Sequence, residues 1–280
     1  MKIGFIGGGN MAQALIGGLV ARRVEASFVV VEPNADARAA LSGRFASIVV
    51  HDSPHDDLES CDALVVAVKP QQFRDAAISI AGLARSALVI SIAAGIRTID
   101  IARWLSARAS ASPSVPDSRA IVRAMPNTPA LVGAGITGLF ATPTVSAAQR
   151  QLADSLLCAV GETLWLDDEE LLDAVTAVSG SGPAYVFYFL EAIEAAAIEL
   201  GLSDAAARQL SIATFAGATQ LAAQSNEPLA SLRERVTSRG GTTHAALTEM
   251  AESKVHEAIV RAVGKARARS VELGDEFGRE

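Results

Sequence analysis

Apolar residues fall along this chain in two rhythms. Over roughly the first 160 positions, short runs rich in Val and Ile alternate with longer amphipathic segments. The runs are Lys2 to Ile6, Phe28 to Val31, Ser47 to Val50, Ala63 to Val68, Leu88 to Ile92 and Ala120 to Arg123. Ala63-Leu64-Val65-Val66-Ala67-Val68 is apolar throughout, as a strand covered by helices on both faces must be. Asn10 to Arg22 and Ala35 to Phe45 carry helical spacing between the runs. The alternation predicts an α/β fold built on a doubly wound parallel sheet.

From about Asp167 the strand signal vanishes. Leu171 to Val178, Pro183 to Leu200, Asp204 to Gln224 and Lys254 to Val271 read as helices. In the last, Val255, Ile259, Ala262, Val263 and Ala266 share one face, with charges opposite. The helix from Pro183 is apolar almost all round (Val186, Phe187, Tyr188, Phe189, Leu190, Ile193). Such a helix fits a subunit interface; the alternative is an internal helix of a compact bundle. A chain of 280 residues is long for a single core, so two domains are expected, 1–165 and 166–280. Ser106 to Ser118, rich in Ser, Ala and Pro, reads as a mobile surface loop without a function.

Composition narrows the class. Half the residues are apolar and the net charge is −7, which argues against a nucleic-acid partner. Arg261, Lys265, Arg267 and Arg269 cluster late, but Glu257 and Glu272 flank them as on a solvated helix face. Cys61 and Cys158 form no C-x-x-C pair, the four histidines are read as scattered, and no metal is expected. The start lacks the apolar run of a signal peptide. Ala184 to Leu200 carries Glu191, Glu194 and Glu199 and is no membrane span. A cytoplasmic protein is expected.

The chemistry begins at Gly7-Gly8-Gly9-Asn10-Met11-Ala12, between a strand and a helix. Gly7 permits a tight turn, Gly9 lets backbone approach a pyrophosphate, and Ala12 packs helix on strand. The helix start then offers unpaired N–H donors and a partial positive charge. Glu32 ends the second strand, twenty residues past Ala12, where a carboxylate accepts the ribose hydroxyls of NAD and repels the phosphate of NADP. Asn34 and Arg38 lie just beyond, within reach of such a phosphate, so NADH and NADPH both stay open. Val68-Lys69-Pro70, Ala93-Ala94-Gly95 and Met125-Pro126-Asn127 follow three further strands and reach the same sheet edge. There the small residues leave room for a flat ring, and Asn127 offers an amide.

A second constellation is Val236-Thr237-Ser238-Arg239-Gly240-Gly241-Thr242-Thr243-His244. Hydroxyls around paired glycines make a nest of N–H groups that suits a small carboxylate. An ordinary helix start, with Thr242 or Thr243 serving local backbone, fits the residues equally well.

Taken in order, FIGGGNMAQAL, AVKPQ, SIAAGI, RAMPNTPALVGAG, SGSGPAYVF and VTSRGGTTHAAL closely resemble pyrroline-5-carboxylate reductases, from Lys2 to roughly Leu273. The resemblance implies NAD(P)H-dependent reduction of 1-pyrroline-5-carboxylate to L-proline, the last step of proline biosynthesis. It implies a Rossmann-like domain over 1–165 and an all-helical substrate-binding and dimerisation domain over 166–280. A homodimer with interleaved helices, built up to a decamer in some relatives, follows from it. Gly7, Gly8, Gly9, Asn10 and Met11 then serve the pyrophosphate, and Lys69, Pro70, Ala93 to Gly95 and Met125 to Asn127 wall the nicotinamide and its ribose. Ser238, Gly240, Gly241, Thr242 and Thr243 hold the substrate carboxylate and ring nitrogen, Thr243 meeting the nitrogen, in a site facing the partner subunit's cofactor. Arg239 replaces a proline of many relatives. The stretch from Glu227 to Leu232 is about one residue longer than theirs, so an acidic neighbour of the nitrogen is not assigned to Glu227.

Two other readings compete. A hydroxyisobutyrate-type dehydrogenase needs a catalytic lysine after the first domain, but none stands between Met125 and Lys254. A non-catalytic dinucleotide sensor would have no need of the SRGGTTH loop.

Overall fold

The computed structural model describes residues 1–106 and 119–279. Apart from Ser106, the loop expected at Ser106 to Ser118 lies outside the described residues. Elements run in the order β1 (Lys2–Ile6), α1 (Asn10–Ala21), β2 (Ser27–Val31), α2 (Ala35–Arg44), β3 (Ile48–His51), β4 (Ala63–Val66), α3 (Pro70–Ile80), β5 (Leu88–Ser91) and α4 (Thr98–Ser106). Then follow β6 (Ile121–Met125), β7 (Gly135–Ala141), α5 (Ala147–Leu157), β8 (Gly161–Trp165) and α6 (Leu171–Val175), which passes into a π-turn over Thr176–Gly180. The remaining helices are α7 (Gly182–Glu199), α8 (Asp204–Ala223), α9 (Leu229–Arg235), α10 (Thr242–Glu252) and α11 (Val255–Arg279).

The sheet order is β3-β2-β1-β4-β5-β6-β7-β8. The first six strands are parallel, as expected, but β7 pairs antiparallel with β6, and β8 runs parallel to β7. Neither strand was expected. Gly135 and Gly138 interrupt the apolar pattern of β7, and β8 is a half-exposed edge. Alternation along the inner strands feeds two cores. Ile3, Phe5, Phe28 and Val30 meet Leu15, Ile16 and Leu19 of α1 on one face. Ile6, Val29, Val31, Leu64 and Val66 meet Phe73 of α3 and Trp104 of α4 on the other. This is the residue-by-residue cause of a doubly wound sheet.

The chain groups into two compact units, 1–181 with 266–280, and 182–265. The division differs from the one expected at 165/166, and packing explains the difference. Asp173 of α6 is buried and accepts a hydrogen bond from buried Ser270 of α11 at 2.6 Å, so both segments close the first unit. In the second unit α7 packs with α8, yet none of its residues is buried. Phe187 and Tyr188 are 59% and 72% exposed. Within the chain, α7 is therefore not the internal helix of a bundle. Arg261, Lys265, Arg267 and Arg269 are exposed, as expected, and Arg269 pairs with Glu272 and Glu276 of its own helix.

Candidate active site

Five parallel strands bring the first set of expected residues to one sheet edge. The strand order reverses between β1 and β4, and there the turn after β1 opens a cleft. Gly7 holds φ +96°, and a Cβ on it would sit 2.8 Å from the Ala67 carbonyl oxygen; only glycine makes this turn. Gly9 precedes the first turn of α1 with no side chain to cap it, and nothing lies within 4 Å of where its Cβ would be. The helix thus begins with free N–H donors beside open space, a cradle that suits a phosphate. Asn10 and Met11 form its first turn, and Ala12 is fully buried against the sheet.

A cleft of about 670 Å³ is lined by Gly7 and Gly9, by Glu32 and Asn34, by Asp52, and by Val68 and Lys69. Its size and donors suit a dinucleotide half. Lys69 is exposed before α3, which starts at Pro70. Glu32 accepts the Gly8 N–H at Oε2 and the Asn34 N–H at Oε1, both at 2.9 Å, tying the glycine turn to the end of β2. The Asn34 side chain caps α2 by accepting the Ala37 N–H. Arg38 donates Nη1 to the carbonyls of Glu32 and Pro33.

The loops after β5 and β6 differ in detail from expectation. Gly95 was expected to leave room for a ring, but it is buried under α11. At φ +74°, its absent Cβ would lie 3.3 Å from Cβ of Leu273. Ala93 is also buried, and Ala94 half-buried. Asn127 is buried and its Oδ1 accepts the Ile136 N–H at 3.0 Å, so that oxygen holds the start of β7. Met125 ends β6, and Pro126 is buried next to it.

Sequence reasoning missed the group that ties the start of α4 to β6. Glu169 accepts the Thr98 N–H at 2.8 Å and the Thr98 hydroxyl at 2.6 Å, and Arg123 of β6 at 3.2 Å. Arg123, 4% exposed, also faces Asp173 at 3.9 Å. In the sequence these are ordinary charges. A second cluster escaped the reading of scattered histidines. His51 and His55 stack with ring centroids 4.1 Å apart and converge on Asp57 Oδ2, at 2.9 and 3.2 Å. The His51 hydrogen bond holds the Asp57 carboxyl below its ordinary range. The three ligand atoms lie within 4.8 Å of one another, but His55 Nδ1 already accepts the Asp57 N–H, and Lys2 sits 3.8 Å from Asp57.

In the second unit, α10 starts on Gly241, which has no side chain to cap the helix. Gly240 turns the chain at φ +75°, and the Gly241 N–H is taken by the Ser238 carbonyl. Ser238, Thr242 and Thr243 are exposed, as is Arg239. Thr237 instead bonds back to Arg233 O at 2.6 Å. Of the two readings left open for this loop, the helix capped by its own threonine is not the one observed. Glu227 pairs with Arg235 at 2.5 Å.

The sheet order, glycine turn and strand-end cleft define a Rossmann-type α/β protein with a helical second unit. The family described as pyrroline-5-carboxylate reductase dimerisation matches residues 169–273, and that of NADP oxidoreductase, coenzyme F420-dependent, matches 2–95. A pyrroline-5-carboxylate reductase of Pseudomonas aeruginosa is 43% identical over 99% of this chain and 98% of its own. One from Haemophilus influenzae is 41% identical over 97% of each. Among solved structures, a reductase of this name from Coxiella burnetii superposes with TM-score 0.87 at 35% identity, covering 97% of both chains. Pyrroline carboxylate reductase of Plasmodium falciparum with NADP bound gives 0.83 at 26%, covering 98% of both. The chain belongs to the pyrroline-5-carboxylate reductase family.

Proposed function

We propose that this protein reduces 1-pyrroline-5-carboxylate to L-proline with NADH or NADPH, the last step of proline biosynthesis. The observation that carries the proposal is the start of α10. There the first-turn N–H groups are left uncapped next to two exposed threonine hydroxyls, a nest for a small carboxylate. Within that reading, the turn at Gly7 to Met11 holds the pyrophosphate. Val68 to Pro70, Ala94 and Met125 to Asn127 border the nicotinamide ribose.

A bound reduced nicotinamide supplies the hydride. The chain's own task is geometry more than proton transfer, because a protonated cyclic imine is already electrophilic at carbon. Ser238, Gly240, Gly241 and Thr242 anchor the carboxylate. The Thr243 hydroxyl, far too weak an acid to protonate substrate at neutral pH, hydrogen-bonds the ring nitrogen and fixes its orientation. Side-by-side oxidation of NADH and NADPH with pyrroline-5-carboxylate tests the assignment, and turnover with neither refutes it.

The protein works as a homodimer in the cytoplasm in this reading. The apolar surface of α7 supports self-association, since a patch around Phe187 and Tyr188 is costly in water. Sedimentation velocity at micromolar concentration checks the dimer, and a monomer there refutes it. The same run reads directly whether the dimers assemble into a decamer.

A further inference from the structure

We propose that the ribose end of the nucleotide cleft selects the unphosphorylated dinucleotide, with Glu32 as the selecting residue. This rests on the reductase reading above and deepens it. Glu32 stands at the end of β2, next to the cleft. A carboxylate there accepts ribose hydroxyls and opposes a 2′-phosphate. Three observations make the choice firm in this chain.

The first is that Glu32 cannot turn away. Each of its oxygens is held by a backbone N–H, from Gly8 and from Asn34, at 2.9 Å. A carboxylate has about four acceptor positions, so roughly two remain for the 2′- and 3′-hydroxyls. Swinging Glu32 aside for a phosphate would break both bonds and release the glycine turn. Second, the groups suited to receive a phosphate have other work. The Asn34 side-chain oxygen caps α2, and Arg38 Nη1 is spent on two loop carbonyls. Arg44 reaches Gln13 and lies over the Phe45 ring. Neither arginine lines the cleft. Third, the lining itself is acidic. Among the described lining residues Glu32, Asp52 and Asp75 are carboxylates and Lys69 is the one cation, borne on the β4 side of the turn rather than the β2 side. A 2′-phosphate, with nearly two negative charges, would enter beside Glu32 and Asp52, and the cation on that side, Arg38, is held on the Glu32 and Pro33 carbonyls outside the lining.

The test uses binding of cofactor fragments that carry no nicotinamide, so it does not depend on catalysis. Titration calorimetry of the full chain with ADP-ribose and with 2′-phospho-ADP-ribose reads the preference. ADP-ribose is expected to bind about tenfold tighter or more, the worth of a hydrogen bond to a charged group. A ratio below threefold, or the opposite order, overturns the proposal; any larger ratio supports it. Glu32→Ala should bring the two affinities within threefold of each other, and an unchanged ratio would overturn the assignment to Glu32. Should that variant fail to fold, the wild-type ratio still decides. If neither fragment binds, the cofactor site itself falls, and the reductase reading with it; NADPH-preferring turnover refutes only the selection.

Discussion

Glu169 and Thr98 are joined by two hydrogen bonds, one from the Thr98 N–H and one from its hydroxyl, at 2.8 and 2.6 Å. Thr98 is the first residue of α4, so the carboxylate of a residue 71 positions away completes that helix start. The same carboxylate takes Arg123 of β6, which makes Glu169 a clasp between the start of α4 and β6.

Arg123 is the buried centre of that clasp, with 5% of its side chain exposed. Arg123→Leu removes the charge and leaves Glu169 and Asp173 without their cation. A cost of about 3–5 kcal/mol in urea unfolding is expected, as for a broken buried pair. A loss under about 1 kcal/mol would show that the clasp adds nothing to stability.

Two glycines of the turn should answer differently. Gly7→Ala forces a side chain into φ +96° and against the Ala67 carbonyl, at a cost of about 1–3 kcal/mol in stability. Gly9→Asp introduces a favoured helix cap into open space and should leave the melting temperature unchanged or raised. Its carboxylate would stand where phosphate belongs, and calorimetry should detect at least about a tenfold loss of dinucleotide affinity. Undiminished affinity in Gly9→Asp would remove the helix start from the cofactor site.

Thr243→Ala tests positioning of the imine. Its kcat/KM should fall by roughly 10- to 150-fold while dinucleotide affinity stays at the wild-type value. A fall under about threefold excludes Thr243 from the site, and complete loss assigns it more than a hydrogen bond.

Cys61 supplies a pH dependence. Burial pushes its thiol up to about 11 from an ordinary 9.0. The folded value lies above the unfolded one. Its contribution to stability is therefore complete below about pH 9 and fades as pH rises through about 11. At pH 8 the thiolate fraction is lower by roughly a hundredfold, so iodoacetamide should label Cys61 slowly in the native protein and readily in urea. Equal labelling rates, read by mass spectrometry, would contradict the burial of this group.

Local grammar made both candidate groups visible in the sequence. Gly7, Gly9 and Ala12 sit at fixed offsets within one strand-turn-helix, and Ser238 to Thr243 run from a loop into the first turn of α10, so each candidate group is a set of sequence neighbours. What escaped depends on distant partners. Gly95 looked like space for a ring because the chain that fills the space belongs to α11. Arg123 and Glu169 looked like surface charges because each is paired with an element that periodicity cannot bring near. Asn127 offered an amide whose oxygen is claimed by Ile136 of a strand that glycines concealed. His51 and His55 meet because β3 ends where the next turn folds back on it.

The return of α11 to the first unit bears on how the protein is made. Arg97 and Asp275, joined at 2.6 Å, are 178 positions apart, and Gly95 is shaped to receive Leu273 and Gly274. A ribosome therefore releases the nucleotide half long before the segment that seals it. Until then the groove over Gly95 stands open in the nascent chain, and Asp173 waits for Ser270. Translation order thus separates the birth of this half from its completion, and the seal is set only after the helical unit has been synthesised.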